Sequence, residues 1–249
     1  MKIILSPTKK MQEDRDSLSS PSLPCLLSRT QRILAALRSL SAQELQALWG
    51  CNDQITAQNI ERLSHMDLEK GLTPAILSYE GLAFQHMAPS VFTDQELAYV
   101  QDHLRILSGF YGVLKPLDGI TPYRLEMQAR LSVDGSASLY DFWGRDLYRE
   151  VRDDSGIILN LASKEYDKCI RKYLQPEDRF ITCTFCELVK GRLQQKGTFA
   201  KMARGEMVRF LAEVRGDSPE KAREFHGLGY HFREDLSSET EYIFQRIPE

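Results

Sequence analysis

The feature that most constrains the fold of this chain is a short apolar run near its centre. Residues 156–162 read GIILNLA, and Ser163 follows the run. A continuous apolar run of this length, bounded by glycine and serine, is typical of a strand that is buried on both faces of a sheet. The N-terminal residues 2–5 (KIIL) form a second such run, which Pro7 closes. We therefore predict that both runs are buried strands of one sheet.

Helical patterns outnumber strand patterns in the rest of the chain. Apolar spacing and capping boxes (S/T-x-x-E) predict helices over residues 23–40, 41–49, 53–63, 94–107, 138–152, 163–174 and 198–215. Alternation and apolar runs predict further strands over residues 123–133, 179–189 and 240–246. No repeat or linker divides the chain, and clean β-α-β units are missing. We predict one compact α+β domain over residues 1–249, helix-rich, with a central mixed sheet.

The composition narrows the class of protein. The chain has 249 residues, of which 42% are hydrophobic and 27% are charged, as in an ordinary folded domain. No stretch approaches the roughly 18 apolar residues of a membrane span, and the N-terminal apolar run is too short for a signal peptide. The chain has five cysteines, an odd number, and their spacing does not match a disulfide framework, which indicates reduced thiols. We expect a cytoplasmic, monomeric protein that does not contact a membrane.

The net charge of −3 conceals a polarised chain. Residues 190–215 carry seven basic and two acidic side chains, whereas residues 216–249 carry four basic and eight acidic ones. A basic helix can follow a phosphate backbone and release its condensed counterions. A solvated helix face with ordinary ion pairs has the same pattern, so the charge run alone leaves both interpretations open.

Residues 102–118 (DHLRILSGFYGVLKPLD) combine an apolar helical pattern, a turn at Gly109-x-x-Gly112 and a second apolar stretch. This is the outline of a helix-hairpin-helix, which directs backbone N–H groups at phosphates without reading bases. Arg105 and Lys115 would add positive charge to such an element. An ordinary turn between two helices, capped by a glycine, is the alternative.

Polar residues near predicted strand ends are the candidates for chemistry. Lys9 follows the first strand in the segment SPTKK, and Arg124 and Glu126 face the same side of a predicted strand. A carboxylate beside an arginine stays charged, which suits substrate positioning, although a buried structural ion pair fits equally well. Cys183-x-x-Cys186 lacks the further ligands of a zinc site. The P-loop, dinucleotide-binding and nucleophile-elbow motifs are missing from the sequence.

Several segments, in their order and spacing, resemble the bacterial YaaA family over essentially the whole chain. These segments are ILSPTKKM (4–11), HLRILSGFYGVLKPLDGITPYRLEM (103–127), LYDFWG (139–144), NLASKEY (160–166), FAKMARGEMVRF (199–210) and GYHF (229–232). Two departures from the family pattern are visible, since Thr8 replaces an alanine and Lys201 is the only lysine kept from a basic pair.

The resemblance implies a cytoplasmic protein that protects against hydrogen peroxide stress by keeping unincorporated iron low. It also implies DNA binding through a positively charged cleft and a helix-hairpin-helix, which in this sequence would span residues 107–117. The family phenotype names no reaction, and the five histidines do not form a readable iron site with the carboxylates.

We therefore predict a peroxide stress protein that binds double-stranded or branched DNA with little sequence preference and limits iron-dependent oxidative damage. We expect neither a resident cofactor nor a metal. The predicted DNA-contacting residues are Lys9, Lys10, Arg105, Gly109, Gly112, Lys115, Arg124, Lys201, Arg204 and Arg209.

The alternative is an enzyme that acts on nucleic acid or a nucleotide. Its candidate catalytic residues are Lys9, Arg124 and Glu126, with Glu126 as a base and Lys9 as an electrophile or nucleophile. Further polar candidates at strand ends or in loops are Ser6, Tyr111, Asn160, Ser163, Glu165 and Tyr166. A pocket that unites Lys9, Arg124 and Glu126 would favour this alternative.

Overall fold

A computed structural model describes residues 1–247 and confirms the predicted α+β class, with helices around a mixed central sheet. The strands are β1 (Lys2–Leu5), β2 (Lys10–Met11), β3 (Thr73–Pro74), β4 (Tyr79–Glu80), β5 (Leu104–Ser108), β6 (Gly112–Leu114), β7 (Gly119–Ile120), β8 (Ile157–Asn160), β9 (Arg179–Val189), β10 (Arg192–Gln194), β11 (Tyr230–Phe232) and β12 (Glu241–Arg246). The α-helices are α1 (Leu27–Arg38), α2 (Ala42–Trp49), α3 (Asp53–His65), α4 (Ala75–Ser78), α5 (Leu82–Met87), α6 (Asp94–His103), α7 (Leu139–Trp143), α8 (Asp146–Val151), α9 (Lys164–Arg171) and α10 (Gly197–Val214). Short 3-10 helices span Pro89–Val91, Pro219–Glu224, Gly227–Gly229 and Glu234–Leu236.

The central sheet has the strand order β11-β12-β9-β8-β1-β5-β6, and β10 pairs with β9. The five inner strands β12, β9, β8, β1 and β5 are all parallel, whereas β11, β6 and β10 are antiparallel additions. Numbered along the chain, the parallel strands have the spatial order 2-1-3-4-5. The sequence patterns do not predict this order, because the crossovers from β1 to β5, from β5 to β8 and from β9 to β12 each contain several elements, whereas α9 alone joins β8 to β9.

The two apolar runs of the sequence lie side by side at the centre of this sheet. Ile3 on β1 pairs with Leu159 on β8, and both side chains are fully buried. The buried apolar residues around these strands form one hydrophobic cluster that extends from Met1 to Phe244. Burial on both faces explains why both strands consist almost entirely of Ile and Leu.

The predicted helix-hairpin-helix at residues 107–117 is wrong. Helix α6 ends at His103, and β5 and β6 form an antiparallel hairpin instead. All five residues of β5 are buried between β1 and β6, so sheet pairing on both sides overrides the helical spacing. Gly112 adopts a φ of 78° to close the turn, which any residue with a side chain would do only under strain.

Other boundaries also differ from the sequence prediction. Residues 123–133 form no regular strand, and residues 138–152 are broken into α7 and α8 by Gly144.

A short helical hairpin does occur elsewhere, where three residues connect α2 to α3 and Gly50 is left-handed. The side chain of Asn52 caps α3, and the acidic Asp53 lies in its first turn. The N–H groups at the start of this helix therefore already have an acceptor and a negative charge within the protein.

No helix within residues 1–247 combines the length and the apolar character that crossing a bilayer requires.

Candidate anion-binding pocket

A pocket of about 440 Å³ opens where the carboxyl ends of β1 and β8 meet. In the order 2-1-3-4-5, the boundary between these two strands is the point at which the chain turns to build the sheet in the opposite direction. Ligands of open α/β sheets bind in the crevice outside the carboxyl ends of the strands at this switch point. The volume lies within the range of small-molecule sites and suits one nucleotide rather than a duplex.

The floor of the pocket is formed by the residues that follow these two strands. Ser6 follows β1, and its hydroxyl accepts the backbone N–H of Ser163 at 2.9 Å and donates to the Ser163 hydroxyl at 3.2 Å. Ser163 immediately precedes α9, and its side chain makes no capping hydrogen bond. The two serines therefore join β1 to the start of α9 and bring both loops to the same cavity.

Segment 123–126, α5 and α10 form the other walls. Helix α10 crosses α5 so closely that a Cβ on Gly205 would overlap the carbonyl oxygen of Ala83. The glycine thereby lets the first half of α10 approach the cavity, and Lys201 and Arg204 line it from this side.

Two arginines in the pocket have unsatisfied donors. Arg124 and Arg204 are partly buried, and the Nε of each is buried without a hydrogen-bond partner among residues 1–247. Neither guanidinium forms an ion pair with a carboxylate in that part of the chain. Burial lowers the pKa of Arg204, and the nearby Cys183 and Asp167 only offset this effect. Because a buried unpaired charge is costly, the two arginines favour an anionic ligand.

The lysines differ from the arginines in that two of them already have carboxylate partners. Lys9 Nζ lies 2.6 Å from Glu126 Oε1, and Lys10 Nζ lies 2.6 Å from Glu80 Oε1. Lys201 is exposed at the rim of the pocket. The net positive charge of the cavity therefore comes from Arg124, Arg204 and Lys201 rather than from the SPTKK segment.

Glu165 is a half-buried carboxyl group in the first turn of α9. One of its oxygens accepts the backbone N–H of Gln128 at 3.3 Å. Burial raises the pKa of Glu165, the neighbouring Glu126 raises it further, and the Gln128 N–H and Lys9 lower it. Of the three carboxyl groups that line the pocket, Glu80 and Glu126 are each ion-paired to a lysine and Glu165 is not.

Two buried tyrosines, Tyr123 and Tyr166, are among the residues that line the pocket. Tyr123 OH is 2.8 Å from Tyr79 OH and 2.7 Å from Ser108 Oγ. Burial raises the pKa of Tyr123 and of Tyr166, and the adjacent Glu165 raises that of Tyr166 further. Both tyrosines therefore stay protonated and act as hydrogen-bonding wall residues.

The structure brings five of the ten predicted DNA-contacting residues into this pocket: Lys9, Lys10, Arg124, Lys201 and Arg204. All three candidate catalytic residues, Lys9, Arg124 and Glu126, line it as well. Ser6, Ser163, Glu165 and Tyr166 join them. A pocket that unites Lys9, Arg124 and Glu126 is the arrangement expected to favour the enzyme alternative.

The other five predicted contacts lie outside the pocket. Arg105 is buried on β5, where Nη1 donates to the carbonyl oxygens of Leu104 at 2.7 Å and Gln101 at 3.1 Å. Lys115 follows β6 and is exposed. Arg209 lies beyond the pocket on α10, with Nε 2.8 Å from Glu213.

Gly109 and Gly112 are inside the protein and face no solvent. Gly109 packs against the backbone of residues 125–127, and Gly112 packs against Trp143 and Leu147. Their backbone groups support the sheet and the 123–126 wall, and they do not reach the pocket.

Two further enzyme candidates have structural partners. Asn160 is buried at the end of β8, where its amide donates to Asp167 at 3.0 Å and accepts the N–H of Ala162 at 2.9 Å. Tyr111 is fully buried, and burial raises its pKa to about 12. Neither Asn160 nor Tyr111 lines the cavity, and both side chains pack within the protein next to it.

Sequence reasoning missed the wall made by Glu80, Gly81, Leu82 and Ala83. These residues reach the pocket because β4 pairs with β2, in the register Lys10 with Glu80. Each of these strands has two residues, too few to produce an alternating pattern. The charge match between Lys10 and Glu80 was the one available signal.

Metal ligands are not clustered in the described chain. Among residues 1–247, no group of three or more His, Cys, Asp or Glu side chains could hold a metal ion. Cys183 and Cys186 are both buried on β9, and burial raises the pKa of each thiol.

Fold and pocket together define a mixed α/β protein with an arginine-lined cavity at the carboxyl edge of its parallel strands. The sequence profile described as "Peroxide stress protein YaaA" matches residues 1–236, and the chain belongs to this family. It is 57% identical over 246 residues to a UPF0246 protein of Agathobacter rectalis, with 99% of each chain covered. It is also 50% identical over 248 residues to a UPF0246 protein of Limosilactobacillus reuteri, covering 99% of this chain and 100% of the relative. A UPF0246 protein of Pediococcus pentosaceus is 48% identical over 244 residues, with 98% and 97% covered.

Proposed function

We propose that this protein acts in the peroxide stress response by binding the phosphate group of a nucleotide unit in the pocket between β1 and β8. The observation that carries the proposal is the pair of buried, unpartnered Nε donors on Arg124 and Arg204. Arginine is the side chain that suits phosphate best, because its planar fork donates two parallel hydrogen bonds. A bound phosphate would accept from both arginines and would satisfy the charge that the protein leaves unpaired.

The nucleotide unit belongs to DNA in our proposal, since the resemblance of the sequence implies a DNA partner. A cavity of about 440 Å³ accommodates one nucleotide, so a strand would present a single unit, at an end, a gap or an unpaired position. A free nucleotide offers the same phosphate and the same base. The binding experiment distinguishes these two sources.

A role in peroxide stress through a reactive thiol has less support. Reactive cysteines need a lowered pKa and access to solvent. Burial raises the pKa of Cys25 and Cys169 to about 12 and also raises that of Cys183 and Cys186. We therefore propose that the protein limits iron-dependent oxidative damage by acting on nucleotides rather than by reducing peroxide.

The test is a titration of the protein with dAMP, deoxyadenosine, a single-stranded oligonucleotide and a duplex, by calorimetry and fluorescence anisotropy. We expect dAMP or the oligonucleotides to bind and deoxyadenosine to bind at least about tenfold more weakly than dAMP, because it lacks the phosphate. Affinity for the oligonucleotides should fall linearly with the logarithm of the salt concentration.

Two exposed lysines provide matched variants. Lys201→Glu places a carboxylate at the rim of the pocket and should weaken binding by about tenfold or more. Lys115→Glu makes the same change of charge outside the pocket and should leave affinity within about twofold, apart from long-range effects that salt screens. Equal losses in the two variants, or equal affinity for dAMP and deoxyadenosine, would contradict the proposal.

A further inference from the structure

Two of the three carboxyl groups that line the pocket, Glu126 and Glu165, have different surroundings, and the third, Glu80, is ion-paired to Lys10. Glu126 Oε1 lies 2.6 Å from Lys9 Nζ and forms an ion pair with it. Glu165 has no cation at ion-pair distance within residues 1–247, and the backbone N–H of Gln128 donates to one of its oxygens at 3.3 Å. Both side chains line the same cavity as the unpartnered arginines.

A pair of this kind is the arrangement that acid–base catalysis requires. Glu165 is half-buried, and burial together with the charge of Glu126 raises its pKa. When the environments of two nearby carboxyl groups separate their affinities for a proton, one group serves as the acid and the other as the base. Here the acid would be Glu165 and the base Glu126.

We propose that the pocket hydrolyses the N-glycosidic bond of a bound nucleotide, with Glu165 as the acid and Glu126 as the base. This inference rests on the proposed function, because Arg124 and Arg204 must first anchor the phosphate. The phosphate is then a remote group whose binding energy positions the sugar, while the bond that breaks lies elsewhere in the nucleotide.

The reaction consumes one water molecule and needs no other co-reactant. Glu126 takes a proton from water, and the water oxygen forms a bond to C1′ of the sugar. The bond between C1′ and the base nitrogen breaks, and its electron pair leaves with the base. Glu165 gives its proton to the departing base nitrogen, so the products are the free base and the sugar phosphate. Transfer of one proton between the two carboxyl groups through solvent restores the starting state.

The apolar lining explains why the base and the sugar fit beside the charged groups. Leu5, Leu82, Leu125 and Leu161 line the cavity together with the arginines and glutamates. Such walls exclude water from the leaving base and strengthen the polar interactions within the site. An anion-binding surface that only follows a phosphate backbone would need neither an apolar wall nor a half-buried carboxyl group without an ion-pair partner.

The experiment measures base release from 5′-mononucleotides. The full chain is incubated with dAMP, dGMP, dCMP, dTMP and the oxidised nucleotide 8-oxo-dGMP, and with a single-stranded oligonucleotide that contains 8-oxoguanine. Chromatography quantifies the free base, the sugar phosphate and inorganic phosphate. We expect free base and sugar phosphate in equal amounts, from the mononucleotides or from the oligonucleotide, and the productive substrate identifies the source of the nucleotide.

Variants test the assigned roles. Glu165→Gln keeps an oxygen that can accept the Gln128 N–H but cannot supply the proton, so kcat should fall by about 10²- to 10⁴-fold. Glu126→Gln should cause a loss in the same range. The matched control is Glu213→Gln, which changes a surface carboxylate of α10 outside the pocket and should retain the wild-type rate. Circular dichroism of each variant checks that it is folded.

Three results would overturn the proposal. The first is a folded wild-type protein that binds dAMP or the oligonucleotide but releases no base, which leaves phosphate binding intact. The second is release of inorganic phosphate in place of base, and the third is a Glu165→Gln variant with the wild-type rate. Failure of every nucleotide and oligonucleotide to bind would overturn the proposed function together with this inference.

Discussion

Two arginines at opposite edges of the parallel strands show how differently this protein treats buried positive charge. Arg105 on β5 and Arg204 on α10 both have a pKa that burial lowers. Two carbonyl oxygens accept hydrogen bonds from Arg105, whereas the buried Nε of Arg204 has no acceptor in the described chain. The hydrogen bonds of Arg105 are made within the protein, and we propose that a ligand supplies the acceptor that Arg204 lacks.

The surroundings of the two edges support the same distinction. Near Arg105, Lys2 donates to the carbonyl oxygen of Asp102 at 2.7 Å, and the N-terminal ammonium lies 3.2 Å from Asp153. Near Arg204, the second partly buried arginine, Arg124, also lacks an acceptor for its Nε. Positive charge by itself therefore does not identify a binding surface, and the presence or absence of acceptors is the more useful criterion.

The largest expected effect is on ligand binding. Arg204→Met should reduce the affinity for the nucleotide by at least about 100-fold, because it removes two charge-assisted hydrogen bonds of about 1.5–3 kcal/mol each. Arg105→Met should leave the affinity within about twofold. Calorimetry on both variants gives the comparison, and a similar loss in both would show that the two edges do not differ in this way.

The second prediction concerns the stability of the ligand-free protein, where the two substitutions should have opposite signs. Arg105→Met should lower the free energy of unfolding by about 1–3 kcal/mol, because buried carbonyl oxygens lose their donor. Arg204→Met should raise it by about 1 kcal/mol or more, because an unpaired buried charge is replaced by an apolar side chain of similar length. Urea denaturation of both variants measures the signs, and destabilisation by Arg204→Met would contradict the interpretation.

The third prediction is a pH dependence that comes from Glu165. The titratable groups around it are Glu126, Lys9, Tyr166, Tyr140 and Cys169. Because its pKa is raised from the ordinary 4.5, the folded state binds this proton more tightly than the unfolded state does. The contribution of Glu165 to the free energy of unfolding is fully present below the pKa of its unfolded state. It is lost as the pH rises through the pKa of its folded state. The stability of Glu165→Gln relative to wild type should therefore increase between about pH 4 and pH 8.

Asp178 provides the opposite case for the same measurement. Burial would raise its pKa, but the Gln175 N–H, the Tyr148 hydroxyl and Arg152 together lower it below 3.8. Its contribution is present above the unfolded pKa and is lost as the pH falls through the folded pKa. Asp178→Asn should thus cost most stability at neutral pH and least in acid. Urea denaturation across this pH range tests both slopes, and parallel slopes would refute the assignment.

The smallest effect is expected at the surface of α10. Arg209 and Glu213 form an i,i+4 ion pair at 2.8 Å, and exposed helix pairs of this type contribute about 0.3–0.5 kcal/mol. A double-mutant cycle with Arg209→Ala and Glu213→Ala should give this coupling in low salt and less in high salt. Nucleotide affinity should not change, and a large loss would extend the binding surface beyond the pocket.

Much of the candidate site could be predicted from the sequence, because its residues follow recognisable strands. Ser6 and Ser163 come directly after the two apolar runs, with Lys9 in the same segment as Ser6, and the carboxyl ends of adjacent parallel strands meet at one edge of the sheet. Glu126 and Arg124 were also identified, although the segment that carries them is not a strand. Its position depends on contact with Gly109, which no local pattern reveals.

The misassigned hairpin shows why the remainder could not be predicted. The spacing of Val100, Leu104 and Leu107 suits a helix and also suits a helix followed by a buried strand. Only the pairing of Leu104 with Ile3 and of Leu107 with Val113 decides between them, and these contacts join residues that are distant in sequence. Charge patterns have the same ambiguity, since Arg105 and Arg204 are indistinguishable until their acceptors are known.

The crossing of α5 and α10 has a consequence for redesign of this protein. Because the backbones touch at Gly205 and Ala83, the spacing between Lys201, Arg204 and the serine floor is set by a residue without a side chain. Even Gly205→Ala would push α10 away from α5 and would displace Lys201 and Arg204 together. The positions of two pocket cations could therefore be altered by a substitution at Gly205 alone, with Lys201 and Arg204 themselves unchanged.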